Sequence, residues 1–212
     1  KNLHKEFIPN YQLILSELAA SNILPDNYID DLWEYHKVQY STQLLQFFSI
    51  FVSIAARLNV DKIQHLVTLC VKPNEITEAW LTFMGQLGER IGKRNDDKDS
   101  FLLIRDSIFP IAFPQPSPEQ ETEEQKAAKE KLTLTARDSL ILILQYYLTP
   151  EELVNFSQQL GHKCNNPLLF FQLMVQPVSS TALENEGYCK ELLTRSIDYL
   201  NDSTEGHKTI YT

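Results

Sequence analysis

Apolar residues recur three or four positions apart along almost the whole chain, which is the spacing of one face of an α-helix. The alternation of apolar and polar residues between hairpin turns that marks a β-strand is not found in the sequence. The pattern therefore predicts an all-α protein, a multi-helix bundle of about nine to eleven helices.

The first helix is predicted from an apolar stripe and should end near Asn22. That stripe consists of Tyr11, Ile14, Leu15 and Leu18. Further helices are expected from residue 25, across 41–58, from Asn59 or Asp61, from Asn74, and across 101–108, 119–131, 140–148, 150–161, 167–175 and 181–201. Three glycines recur on the fifth helix at three- and four-residue spacing: Gly85, Gly88 and Gly92.

Prolines mark one internal boundary, because each removes a backbone donor and disfavours helix in the residue before it. Four of them fall close together, at Pro110, Pro114, Pro116 and Pro118. The predicted parts are an N-terminal helical half (1–109), a connector (110–131) and a C-terminal half (132–212), which can also form one continuous domain. The connector includes the polar helix 119–131, interpreted as a solvated bridge between the halves.

Three segments share a Pro or Asn start, an acidic first turn and an apolar, aromatic stripe: 25–38, 73–87 and 150–160. Their starts are unevenly spaced, so no fixed repeat period holds and a helical-repeat protein is not predicted. Stacked helical hairpins would nevertheless give a similar pattern.

The charge balance narrows the function. Lys and Arg number 19 against 28 Asp and Glu, which gives a formal net charge of -9. Binding to nucleic acid depends on neutralising phosphates with Lys and Arg, so no DNA or RNA partner is expected, and anionic membrane surfaces are disfavoured for the same reason. The most apolar run, 44–56, is too short to cross a bilayer core of about 30 Å, so no direct membrane insertion is expected.

Cysteine usage and the N-terminal segment suggest the compartment. Three scattered cysteines give no disulfide framework, which is typical of a reducing environment. The first residues lack an apolar stretch of secretory length. A cytoplasmic protein is therefore predicted.

Candidate metal ligands do not have the spacing that metal sites need. Possible zinc ligands are His162, Cys164, Cys189 and His207. Only His162 and Cys164 are close together in the sequence, whereas a structural zinc site usually takes its ligands from two such closely spaced pairs. The acidic turn 95–99 departs from a calcium loop because Ser100 stands where a glycine is needed. No metal and no cofactor are expected.

The sequence contains no recognisable catalytic motif either. A reactive thiolate needs a neighbouring histidine, but His65 and Cys70 are five residues apart on one predicted helix and so point about 140° apart. Cys70 is therefore expected in the core. Sequence motifs of serine hydrolases, nucleotide-binding loops and zinc proteases are missing, and no catalytic residue is predicted.

Two segments that contain apolar residues are predicted as docking sites for a partner. One is the proline-rich strip 109–118, where extended backbone would be exposed, and the other is the polar C-terminal segment with its last two apolar residues. The residues predicted to bind a partner are Ile111, Phe113, Pro114, Ile210 and Tyr211. A packed connector between the two halves is the alternative for the strip, and contact with the protein's own surface is the alternative for Ile210 and Tyr211.

The leading hypothesis is a non-enzymatic adaptor or chaperone-like subunit of a hetero-oligomeric cytosolic assembly. Adjacent aromatic residues such as Phe47 and Phe48 can both be buried only where a helix is covered over a wide arc, by neighbouring helices or by a partner. Such a protein would bury a partner's amphipathic helix or extended segment and select basic residues with its acidic side chains.

In charge, size and helix content the whole chain resembles intracellular bacterial secretion adaptors and subunits of coupling complexes. That resemblance rests on general character and implies a coupling or adaptor role in a secretion system. Two alternatives stay open. One is an all-α enzyme in whose pocket Asp30, Asp31 or Asp96 converges with His36 or His65. The other is a secreted bacterial effector that acts on host proteins.

Overall fold

The computed structural model describes residues 8–36, 41–73, 75–114, 122–144, 146, 152, 156, 186–187, 189–190, 193–194 and 197. Within these ranges it contains seven α-helices and no strand, which confirms the all-α prediction. The helices are α1 (Ile8–Ala20), α2 (Asp26–His36), α3 (Ser41–Ala55), α4 (Val60–Cys70), α5 (Glu78–Arg94), α6 (Lys98–Ala112) and α7 (Glu123–Leu144). The expected total of nine to eleven helices includes segments outside the described residues.

The helices pack in two layers. In the first layer α1 packs on α3, α3 on α5 and α5 on α7, and in the second α2 packs on α4 and α4 on α6. Helix α6 also contacts α5 and α7. Hydrogen bonds join Gln12 to Ser49 and Ser16 to Ser53, so α1 and α3 run parallel. Alternation between two layers is the arrangement of stacked helical hairpins, as in an α-solenoid.

Unequal spacing conceals this stacking in the sequence. The helices of the first layer start at residues 8, 41, 78 and 123, so the interval between them lengthens along the chain. Two of the segments that look alike in sequence, 25–38 and 73–87, correspond to α2 and α5, which belong to different layers. The comparison of those segments could not yield a fixed period.

The chain divides into two compact units, residues 1–146 and 147–212. All seven helices belong to the first unit. Helix α7 continues through residue 131 without a break, so the polar stretch and the apolar stretch that follows it form one helix. The division of the chain at residues 109 and 131 stays a prediction.

Polar side chains cap several of the helices. Asn22 has a left-handed backbone (φ 53°) and ends α1 where the sequence predicts. The Asn59 side chain accepts a hydrogen bond from the first turn of α4, also as predicted. Helix α5 begins later than expected, because Thr77 caps it and not Asn74, which lies outside the described residues.

The turn between α5 and α6 uses capping chemistry. Asn95 ends α5 in a left-handed conformation (φ 57°), and a carboxylate oxygen of Asp97 accepts from the Ser100 amide at 3.1 Å to start α6. This agrees with the expected turn, except that Asp97 is buried and not solvated.

Arg94, at the end of α5, joins that turn to α3. Its guanidinium donates to the carbonyls of Ala55 (2.9 Å) and Leu58, at the end of α3. It also forms a bidentate pair with Asp96, in which Nη2 lies 2.6 Å from Oδ2. One side chain therefore satisfies carbonyls that the helix itself cannot pair.

Helix α6 is longer than the sequence predicts. It continues through Pro110 to Ala112, so the strip is helical up to that residue and not extended. Side chains of α7 stabilise this end: Thr133 donates to the carbonyl of Ile111 (3.3 Å) and Arg137 to that of Ala112 (3.0 Å). Near the end of a helix proline removes only one internal donor, and tertiary contacts compensate for it here.

An aromatic cluster forms the centre of the core between α2, α3 and α5. Phe48 stacks on Phe83 with ring centroids 4.5 Å apart, and Trp33 meets the edge of Phe51 at 5.7 Å. Phe47 is buried as well, 5.6 Å from Phe51. Both members of the adjacent pair Phe47–Phe48 are therefore covered by the protein's own helices, because α3 is central.

A row of glycines brings α5 and α7 close together. A Cβ atom on Gly85 would lie 2.9 Å from Ser139, one on Gly88 2.7 Å from Ile143, and one on Gly92 2.5 Å from Tyr146. Side chains other than hydrogen at these positions would force the helices apart.

Candidate functional site

The residues predicted to bind a partner are only partly accessible. Ile111 is half-buried at the end of α6, Phe113 is 6% exposed and Pro114 is exposed. Ile210 and Tyr211 lie outside the described residues. Their role in binding stays a prediction.

Phe113 packs inside the first unit. Its ring lies 5.1 Å from the ring of Phe109, and the guanidinium carbon of Arg137 lies 5.6 Å from the Phe113 centroid. Arg137 also donates to the adjacent carbonyl of Ala112. Of the two interpretations of this strip, packing accounts for Phe113.

Two residues of the predicted enzyme alternative do meet, between α2 and α4. His65 Nε2 lies 2.8 Å from Asp30 Oδ1, and their side chains are 44% and 46% exposed. They line an open pocket of about 400 Å³. The residues that line it are Asn27, Ile29, Asp30, Asp61, Lys62 and His65.

The pocket is mixed in charge. Asp30 and Asp61 contribute carboxylates, while the Lys62 ammonium donates to the carbonyl of Leu24. Ile29 is fully buried beneath them. With Asp30 bonded to Nε2, the Nδ1 atom of His65 is the ring atom left to exchange a proton.

Asp31 and Asp96 do not line this pocket. Asp96 pairs with Arg94, Asp31 is exposed on α2, and the side chain of His36 lies outside those described. Cys70 is fully buried, as predicted, and burial raises the pKa of its thiol well above the ordinary value.

Among the described residues, His, Cys, Asp and Glu form no group of three that could hold a metal ion. No helix in these ranges is both long enough and apolar enough to cross a bilayer. His162, Cys164 and His207 lie outside the described residues.

An exposed apolar surface on α1 is the feature that the sequence analysis missed. Leu13 and Ile14 are 64% and 57% exposed, and Ile23, just after the helix, is 66% exposed. Within the predicted apolar stripe Leu15 is buried, together with Ala19, but Ile14 points outward. The stripe contained too many apolar residues to show which of them pointed outward.

Acidic residues dominate the same end of the molecule. Between residues 8 and 56 the chain has one basic residue, Lys37. The acidic residues in this range are Glu17, Asp26, Asp30, Asp31 and Glu34. The hydroxyl groups of Tyr11 and Tyr28 are hydrogen-bonded, so acidic α2 lies beside α1.

Comparisons with known protein families, with curated proteins and with solved structures find no match to this chain.

Proposed function

We propose that this protein is a non-enzymatic adaptor, a subunit of a larger cytosolic assembly such as a secretion-system coupling complex. The observation that carries the proposal is the exposed apolar side of α1, the first helix of the first layer. In stacked-helix proteins each layer grows by packing a further helix on the exposed apolar side of the preceding one.

The position of the exposed apolar residues supports a binding surface more strongly than their number does. Single exposed apolar side chains are common on protein surfaces, whereas adjacent ones on one helix face are typical of binding surfaces. Leu13 and Ile14 are neighbours on α1. Full burial of one such side chain by a partner is worth about 1.5–3 kcal/mol, so two can hold a transient complex.

The proposal is tested by chemically crosslinking the tagged full chain in its native cells, so that a transient complex is retained, and then isolating it and measuring its mass by light scattering. A complex of fixed stoichiometry with another protein is expected. A monomer that carries no partner would contradict the adaptor function.

A second candidate function is an all-α enzyme, favoured by one observation, the contact between Asp30 and His65 in the pocket. A carboxylate that holds a histidine ring can orient it as a general base. The six residues that line the described pocket include no hydroxyl or thiol nucleophile, so the reaction class that fits is hydrolysis by an activated water.

This candidate is tested with chromogenic carboxylic and phosphate esters as substrates. Turnover that falls by about 10²-fold or more in His65→Gln and in Asp30→Asn, but not in the control Asp96→Asn, would support it. Equal rates for the wild type and His65→Gln would exclude this site.

A further inference from the structure

The exposed side of α1 is a continuous helix face. Residues 10, 13, 14 and 17 are spaced three or four apart and are all exposed, while Ile8, Leu15 and Ala19 on the opposite side are buried. Leu13 and Ile14 lie at the middle of the exposed face, and Glu17 is the one charged residue among those four positions. We call the residues Asn10, Leu13, Ile14 and Glu17 the outer face of α1.

The packing of the first layer indicates what kind of structure fits this face. Helix α3 lies between α1 and α5, and each contact in the layer is helix against helix. Helix α1 packs on α3 on one side, and the outer face is its opposite side. The next member of the layer would be another helix, with its apolar side on Leu13 and Ile14.

The negative charge of this protein favours a partner helix that carries positive charge. Glu17 lies within the face, and the chain as a whole carries a formal net charge of -9. Opposite charges on a partner speed the encounter and favour the correct partner. A partner with Lys and Arg beside its apolar stripe is therefore complementary.

A second copy of this chain is the less suitable occupant. Two copies facing each other through α1 would place acidic surfaces together. The 13 residues of α1 make a helix about 20 Å long and 10 Å wide, which is small beside the roughly 800 Å² per partner of stable complexes. A face of that size suits one helix bound transiently.

From this juxtaposition we infer that the outer face of α1 binds a basic amphipathic helix of another protein. The inference rests on the proposed adaptor function and assigns its site and the chemistry of its partner. Binding adds one helix to the first layer and buries Leu13 and Ile14.

The test uses two fluorescein-labelled peptides of about 18 residues, five helical turns, with identical leucines at helical spacing. One peptide carries lysine at the remaining positions and the other carries glutamate. Fluorescence anisotropy with the full chain should give saturable binding of the lysine peptide in the range of about 0.1 to 1 mM, and binding of the glutamate peptide that is at least about tenfold weaker.

Variants of the full chain locate the site. Leu13→Ser combined with Ile14→Ser should weaken binding of the lysine peptide about tenfold or more. The matched control combines Leu103→Ser with Leu134→Ser, two leucines of similar exposure on α6 and α7, and should bind like the wild type. Circular dichroism shows whether each variant is folded.

A charge reversal tests the electrostatic part independently of the apolar part. Glu17→Lys should weaken the lysine peptide and strengthen the glutamate peptide, because it reverses the one charge on the outer face. Equal affinity for both peptides, or an unchanged affinity of the double serine variant, would overturn the inference. A homodimer that the double serine variant dissociates would overturn the inference too, because a second copy would then occupy the face.

Failure of this inference is distinguishable from failure of the adaptor function. A native complex that the double serine variant retains would leave the adaptor function intact and remove the outer face of α1 as its site. Loss of every complex in the wild type would contradict the adaptor function itself.

Discussion

The two ends of the first layer differ in how closely their helices pack. At the contact between α5 and α7, glycines let one backbone lie directly against Ser139 and Ile143. At the contact between α1 and α3, side-chain hydrogen bonds such as that of Ser16 with Ser53 cross the interface. Close packing gains many small attractions, whereas a hydrogen bond between side chains contributes only about 1 kcal/mol net. Helix α7 combines close packing on α5 with a hydrogen bond from Ser139 to the carbonyl of Leu81 (2.9 Å), whereas α1 leaves Leu13 and Ile14 exposed.

The largest effect is expected at the glycine row. Gly88→Val should lower the free energy of unfolding by about 3 kcal/mol, because its side chain meets Ile143 and Ile104 at the closest point of α5 and α7. Urea unfolding measures this. The matched control Gln86→Val, on the exposed side of α5, should cost less than about 1 kcal/mol. Equal costs for the two variants would mean that α5 and α7 can move apart freely.

A smaller loss of stability is expected when the link between α3 and α5 is removed. Arg94→Met should cost about 2 kcal/mol, because it removes a charged donor from the carbonyls of Ala55 and Leu58. Lys93→Met is the control, since Lys93 is exposed and pairs with Glu89 on its own helix, and it should change stability by less than about 0.5 kcal/mol. Thermal unfolding of both proteins compares them, and a neutral Arg94→Met would show that water replaces the guanidinium.

Substitutions at the contact between α1 and α3 should lower the free energy of unfolding by less. Ser16→Ala and Ser53→Ala should each cost about 1 kcal/mol or less. In a double-mutant cycle the two changes should be coupled by about 0.5 kcal/mol, because they remove the same 2.8 Å hydrogen bond. Strict additivity would show that the two hydroxyl groups do not depend on each other.

The smallest effect is expected on the outer face of α1. Leu13→Ser should change the free energy of unfolding by less than about 0.5 kcal/mol, because the side chain is already in water. Leu15→Ala, two residues away on the buried side, should cost about 3 kcal/mol. A large loss for Leu13→Ser would mean that another part of the chain covers this residue.

Helices were predictable because their signals are local, while their arrangement was not. Asn22 and Asn59 cap helices where the sequence places them, since capping depends on a few neighbouring residues. The direction of Ile14 depends on where α3 packs, and an apolar stripe of four residues does not fix that. The start of α5 at Thr77 also differs, because several residues there can cap a helix.

The candidate pocket shows the same limit. Asp30 and His65 were named among five residues that could converge, and they come from helices separated by more than 30 positions in sequence. The packing of α2 on α4 brings this pair together, whereas Asp96 pairs locally with Arg94, two residues before it. Likewise, the spacing of the three glycines is visible in the sequence, but their partner helix is not.

Pro110 has a consequence for how the chain folds as it is made. The final turn of α6 depends on donors from Thr133 and Arg137, which follow it by more than 20 residues. A ribosome adds about 5–20 residues per second, so these donors are synthesised about a second or more after Ala112. The end of α6 therefore becomes complete only when α7 has left the exit tunnel, and a nascent chain stalled before residue 133 would hold that turn open.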